Sequence, residues 1–392
     1  MGVVLTSLVL FGQVAAGGGG GQGATPAGRY RALVKDWEAY SERATKEAAE
    51  ATTDEAKRRF SEENVRVTHA LGVRALELAR AYPNDPAARD ALLWVTRHGY
   101  RPETTGAWKL LTAGYLDSKG IEQACRDTRR DVASNPALAE RFLRGVIDKN
   151  PHREVKGQAC FALAVLLNFR AEALRVWPPD DLAHFKSLLK TPEDRAVYRD
   201  RTADDLAREA EGLYERVVAE FADLKDFRGR ALGERSKGEL NELRNLAVGK
   251  VAPEIEGEDA DGRAFKLSDY RGKVVVLTFS GNWCGPCRAM YPEERALVER
   301  LKGKPFALLS VNTDADRETL KKSVASGDVT WRCWWDGEPG GPICTRWGIE
   351  GFPTVHVIDH RGVIRFKGIE GGDRLKAAVD SLLADVKPAD AP

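Results

Sequence analysis

The 392-residue chain has no excess of charge of either sign: 60 Lys and Arg stand against 59 Asp and Glu, a net charge of +1. That balance removes the broad electrostatic footprint by which proteins hold nucleic acid or an anionic membrane, and no nucleic-acid partner is expected. Long apolar runs are missing as well. Val3 to Phe11 is interrupted by Thr6 and Ser7, and it falls short of the ~20 residues that span a bilayer. The six His residues show no ligand spacing, and a second C-x-x-C pair is absent. A tetrahedral zinc site commonly takes two such pairs, so no metal is expected. Cysteine is scarce: Cys125, Cys160, Cys284, Cys287, Cys333 and Cys344. Six in this length exclude a disulfide scaffold, and the fold must rest on its core, for which 43% hydrophobic residues suffice.

What is present divides the chain. Residues 1–24 form a signal-like apolar segment, with small residues Val14-Ala15-Ala16 at a candidate cut and a Gly-rich linker, Gly17 to Gly23. No Lys or Arg precedes Arg29, so a basic n-region is lacking. The segment implies a periplasmic or secreted protein; a cytoplasmic one is the alternative. Residues 25–247 carry a helical period. Val67, Leu71, Ala75, Leu78 and Tyr82 recur at spacings of three and four, as do Leu206, Ala210, Leu213, Val217 and Phe221. Asp85-Pro86, Asn135-Pro136 and Asn150-Pro151 mark helix starts, and Gly99 marks a stop. An all-α bundle and an irregular repeat array both fit this pattern.

Near Ala247 to Pro253 the period changes, and residues 248–388 read as a second domain. Asp261-Gly262 sits between two short extended stretches, a hairpin signal. Lys273 to Phe279 reads as a buried strand, followed by a helix from Cys284 to about Leu301. Phe306 to Val311, Thr354 to Ile358 and Val363 to Phe366 read as strands, Asp316 to Ala325 and Arg374 to Ala384 as helices. The result is a mixed α/β sheet.

Trp283-Cys284-Gly285-Pro286-Cys287 follows a strand and opens a helix. A thiolate at a helix N-terminus is stabilised by free backbone N–H groups and the positive end of the dipole, which lowers the thiol pKa from ~8.5 toward ~3.5–7.5. Cys284 stands at that end and is expected to be the more exposed; Cys287 lies about one turn inward. Gly285 lets backbone pass closely, and Pro286 suits the first turn because its missing N–H would be unpaired there. The pair therefore reads as thiol–disulfide exchange chemistry. Cys333 and Cys344 flank a Gly/Pro turn and are either a second disulfide or two buried thiols. Cys125 and Cys160 read as core residues or a pair. Trp331 to Trp335 and Trp347 read as packing, with a docking role as the alternative.

The segment from about Gly249 to Leu383 resembles the thioredoxin superfamily, in its TlpA/ResA-like branch, which overlaps the AhpC/TSA redoxin family. Ala252-Pro253-Glu254, Asp261-Gly262, Leu267 to Lys273 and Trp283 to Arg288 carry the resemblance. It implies a multidomain chain: an all-α N-terminal domain plus an α/β thioredoxin fold at the C-terminus. It also implies a cis peptide at Pro353, with Phe352 and Pro353 facing the cysteines, and Trp283 and Pro353 shaping a docking surface. Two departures stand out: Thr278 and Met290 occupy places where relatives carry an acid that manages the proton of the second cysteine. That leaves Glu293, Glu294 or a water as the base for Cys287. Gly281 and Leu277 stand where a peroxidatic cysteine's Thr/Ser and Pro would be, which disfavours a thiol peroxidase. The expected activity is reduction of a protein disulfide, with an external thiol reductant and no bound cofactor. The alternative is a scaffold whose helical domain binds a protein partner.

Overall fold

The computed structural model describes residues 25–131, 135–176, 189, 191–368 and 371–386; the signal-like segment lies outside them. The chain divides after Gly114 into two compact units. The change from helix to strand comes later, between Leu246 and Glu256, where the sequence places its boundary. The two divisions differ because residues 115–246 belong to the same compact unit as the sheet.

The first unit is helical: Pro26–Glu50, Asp54–Ala81, Pro86–His98 and Glu103–Gly114. Its starts are capped by side chains. Thr25, Thr53 and Asp85 accept from the N–H groups of Gly28, Ala56 and Ala87, and Pro86 opens its helix where no donor is needed. In the helix Asp54–Ala81, Leu71, Ala75 and Leu78 are buried as expected, while Thr68, Gly72, Leu76 and Ala79 widen the stripe. Val67 and Tyr82 are only half-buried at its edges.

The second unit begins with helices Glu122–Asp127, Pro136–Lys149, Arg153–Val176, Pro192–Arg199, Ala203–Glu220 and Leu232–Asn241, closed by a π-helical turn, Glu242–Leu246. In Ala203–Glu220 the buried face is Leu206, Ala207, Ala210, Tyr214 and Val217, so Tyr214 takes the inward place expected of Leu213. Asn135 does not cap the helix it precedes; the Oδ1 of Asp194 accepts from Ala137 N–H at 3.3 Å instead. Asn150 accepts from His152 N–H and donates to the carbonyls of Leu116 and Ser118, pinning a loop as it starts a helix.

The C-terminal domain holds a hairpin, β1 (Glu256–Glu258) and β2 (Ala264–Lys266), and a five-stranded sheet of β3 (Val274–Ser280), β4 (Phe306–Asn312), β5 (Arg332–Trp335), β6 (Thr354–Ile358) and β7 (Ile364–Lys367). Sheet order is β5-β4-β3-β6-β7, parallel across β5-β4-β3 and antiparallel across β3-β6-β7. Gly262 carries a φ of 81° at the hairpin turn, a conformation open to glycine. Every residue of β3 is buried, because both of its faces are covered. Val275, Leu277 and Phe279 pack with Phe265, Trp334, Trp347 and Ile364 on one face. Val274 and Val276 pack with Tyr291, Leu297, Trp331 and Val379 on the other. By the same alternation Thr278 and Ser280 turn toward the helix that follows. The sequence reading missed β5, a strand made from the tryptophan-rich stretch, and the short helix Pro342–Arg346.

Candidate functional site

The chain leaves β3 at Ser280, crosses three residues and enters the helix Gly285–Arg300 with Cys284 as its N-cap. The Cys284 Sγ accepts from Cys287 N–H at 3.1 Å, so sulfur holds the place a capping oxygen usually takes. Cys284 and Cys287 are joined as a disulfide. Cys284 is 4% exposed and Cys287 1%, so the expected order holds, although in the oxidised state both are covered. Pro286 lies in the first turn as expected. Gly285 differs from the reading: a Cβ there would meet nothing within 4 Å, so the fold itself does not require glycine.

Trp283 is 54% exposed, beside covered sulfurs. Its ring meets Phe352 edge-on at 5.2 Å, and its Nε1–H lies 3.2 Å from both the carbonyl and the hydroxyl oxygen of Thr313. The Phe352–Pro353 peptide is cis, as the resemblance implies. The structure thus places Trp283, Cys284 and Cys287 just past the C-terminal end of β3, with the Phe352 ring against Trp283 and the Phe352–Pro353 peptide leading into the adjacent β6.

Two residues that hold this rim escape the sequence reading. A Cβ on Gly281 would come within 2.4 Å of Trp283 Nε1 and 3.0 Å of Thr313 Oγ1, so only glycine lets the indole fold back over the loop. Asp314 is buried, and its Oδ1 accepts from Asn282 N–H at 2.7 Å. Its Oδ2 accepts from the side-chain amides of Asn282 at 2.6 Å and Asn312 at 2.9 Å. A buried carboxylate taking three donors ties the loop before Cys284 to the end of β4. Asn312-Thr313-Asp314 just after a strand is the only sequence signal for it.

Further along the same helix, on the buried stripe of Cys287 and Tyr291, Glu294 is 3% exposed and accepts from Thr278 Oγ1–H at 3.1 Å. Burial pushes its carboxyl up to about 7, against the lowering effect of that hydrogen bond. Glu293, the other acid considered, turns outward and accepts from Gly372 N–H at 2.8 Å.

Cys333 and Cys344 are not bridged. Both are buried free thiols, on opposite faces of the sheet: Cys333 packs with Tyr291 and Leu308, Cys344 with Phe279 and Trp347. Burial pushes both thiols well above the usual range, so neither is poised to react. Cys125 and Cys160 are also buried and free. Trp334 and Trp347 are core residues, Trp334 stacking on Phe265 at 4.2 Å. Among the described residues, no group of three or more His, Cys, Asp or Glu is placed to hold a metal.

Residues 248–367 match the AhpC/TSA family. The chain is 30% identical over 143 residues to the thiol-disulfide oxidoreductase ResA of Geobacillus thermodenitrificans, covering 36% of this chain and 80% of that protein. It is 28% identical over 152 residues to the ResA of Bacillus cereus, covering 39% and 86%. Among solved structures it is similar to the thioredoxin domain of a thiol-disulfide oxidoreductase from Bacteroides vulgatus, with 28% identity, a TM-score of 0.32, and coverage of 36% of this chain and all of that one. A C-x-x-C pair at the N-terminus of a helix after the central strand, a cis peptide before Pro353 whose Phe352 meets Trp283, and 30% identity over 80% of the length of the first ResA agree. Through its C-terminal domain the chain belongs to the thioredoxin superfamily, as a thiol-disulfide oxidoreductase of the TlpA/ResA-like branch.

Proposed function

We propose that the chain reduces protein disulfides through the Cys284–Cys287 dithiol, by way of a mixed disulfide. The observation that carries the reading is Cys284 as the N-cap of its helix, its sulfur receiving the Cys287 N–H. An anion at that position gains from the same hydrogen bond and from the helix dipole, so the reduced Cys284 is the nucleophile. Its thiolate attacks one sulfur of the substrate disulfide, forming one S–S bond and releasing a substrate thiolate that takes a proton from water. Cys287 then attacks Cys284, closes the Cys284–Cys287 bond and releases the second substrate thiol. Two electrons pass to the substrate, and an external thiol reductant restores the dithiol. The mechanism calls for no bound cofactor.

Trp283, with Phe352 and Pro353 across from it, forms the docking rim, and the edge at Pro353 offers backbone to an extended substrate peptide. Gly285 leaves open space on the same side. The apolar N-terminal segment supports a periplasmic or secreted setting. The second reading, a helical region that docks a protein partner, draws on Phe169 and Phe227, both exposed beside a cleft of about 350 Å³. The test is reduction of a protein disulfide by the full chain. Cys284→Ser should abolish turnover. Cys287→Ser should stall as a covalent mixed disulfide visible by mass spectrometry. Full activity in Cys284→Ser would end the proposal.

A further inference from the structure

We propose that the cleft between the helix Arg153–Val176 and the turn at Phe227 docks an acidic segment of a partner protein. One large apolar side chain of that segment enters the cleft, and its carboxylates meet the surrounding arginines. This deepens the second reading above, a partner-binding helical region, and rests on it; it is independent of the dithiol reading.

The whole cleft lies within the second compact unit. Its apolar wall comes from one helix. Ala162, Val165 and Phe169 recur there at spacings of three and four, so they share one stripe. Ala162 and Val165 are half-buried and Phe169 is 48% exposed. The same helix already buries Leu163, Ala164 and Leu167, so the stripe is a second apolar face, left open to water. Opposite it stands Phe227, 69% exposed. The turn that carries Phe227 is tied down. The buried Asp226 carboxylate accepts from Arg228 N–H at 2.8 Å and Arg230 N–H at 3.0 Å, and from the side chains of Arg230 and Arg235. A fixed turn thus holds an aromatic ring in solvent, and large rings exposed together at a cleft mark a contact site.

The same turn sets the charge of the cleft. Asp226 is the only acid among the lining residues, and its four donors use it up. Three guanidiniums are left over. Arg126 donates to the neutral Gln123 Oε1 at 2.8 Å, and its buried Nε–H has no acceptor. Arg129 and Arg228 are exposed, and among the described residues neither forms an ion pair. Glu239 attracts Arg129 without pairing with it, and burial pushes that carboxyl up. Arg228 lies over the Phe227 ring at 5.3 Å. Guanidiniums without carboxylates beside an apolar stripe complement Asp or Glu next to a large apolar residue, and oppose a basic partner. At about 350 Å³ the cleft admits a side chain rather than a folded surface, which makes the occupant a segment.

The test selects binders from a cysteine-free library of random peptides on the full-length chain and measures their affinity by fluorescence anisotropy. Selected peptides should carry an excess of Asp and Glu around one aromatic or branched apolar residue. Phe227→Ala should weaken them by ~10-fold or more. Arg129→Glu combined with Arg228→Glu should weaken them by ~10-fold at low salt, and by less as salt rises. All three positions are exposed, so these variants keep the fold. Trp283→Ala should leave the peptides bound. Peptides rich in Lys and Arg, or an affinity indifferent to the charge reversal, overturn the proposal while a partner-binding region still stands. Peptides lost in Trp283→Ala and kept in Phe227→Ala sit at the cysteine rim and overturn it too. Failure to select any peptide overturns the second reading itself, and this inference with it.

Discussion

Two buried ionisable side chains give the folded domain opposite responses to pH. Glu294 has its carboxyl raised to about 7, so the folded chain holds a proton there that the unfolded chain releases. The associated stability is fully present below the unfolded value of ~4.3 and is lost as pH rises through about 7, on the order of 3 kcal/mol in all. His356, buried between Phe279 and Trp347, is pushed down to about 4 by burial. The unfolded chain binds its proton first, so that stability is present above ~6.5 and is lost as pH falls toward 4. The two windows overlap with opposite slopes, so urea unfolding of the wild type should vary little between about pH 4 and pH 7. Glu294→Gln should unmask a stability that rises with pH up to ~6.5, and His356→Leu one that falls up to about 7; two variants as flat as the wild type would refute the assignment. At this scale the disulfide-bonded pair at the helix start was legible because its signal is local: Cys284, Pro286 and Cys287 lie within four residues, and a motif states their context. Glu293, Glu294 and a water were equally open as the base; the structure buries Glu294 on the stripe of Cys287 and Tyr291 and turns Glu293 outward. The roles of Gly281 and Asp314 could not be read, because each depends on the loop before Cys284 lying against the end of β4, at Thr313 and Asp314, about thirty residues on.

Among the elements, the loop from Gly281 to Trp283 is held by long-range contacts rather than by its own preferences. Asp314→Ala would leave the Asn282 N–H and the amides of Asn282 and Asn312 without their acceptor, at a cost of about 2 kcal/mol. Gly281→Ala would displace the Trp283 indole. Both variants should still form the Cys284–Cys287 disulfide but reduce protein disulfides several-fold more slowly, whereas reaction with a small disulfide should change little. Equal losses on both substrates would show that the loop positions the cysteines rather than the docking rim. β3 and its helix were plain in the sequence, since a fully buried strand is a continuous apolar run. β5 was hidden because Arg332 to Trp335 alternates no apolar and polar residues, and it pairs only with β4. The helices were legible from proline at their starts. Their faces were read one residue off where Tyr214 displaced Leu213.

For the whole molecule, the change of period at 247 does not separate two independent bodies. Leu246 is fully buried in the core that contains Phe265 and Trp347. Gly249 N–H donates to Ile364 O at 2.8 Å, and Ile364 N–H to Lys250 O at 2.9 Å. Lys367 of β7 pairs with Glu242, and Asn241 donates to Arg346 O at 3.2 Å. A fragment of residues 115–392 should therefore unfold at a clearly higher denaturant concentration than one of residues 248–392; equal midpoints would mean that the helices add nothing to the redox domain. The sequence could mark where helix gives way to strand, but not which helices pack against the sheet, since that depends on pairs far apart in the chain. A reducing dithiol is the function proposed for the whole molecule, and its test is the equilibrium potential of Cys284–Cys287 in the full chain, with dithiothreitol buffers and Cys284→Ser as control. The Gly-Pro dipeptide shared with thioredoxin predicts a value nearer ~−270 mV than ~−120 mV. A value at the oxidising end, or no reversible couple lost in Cys284→Ser, would contradict it.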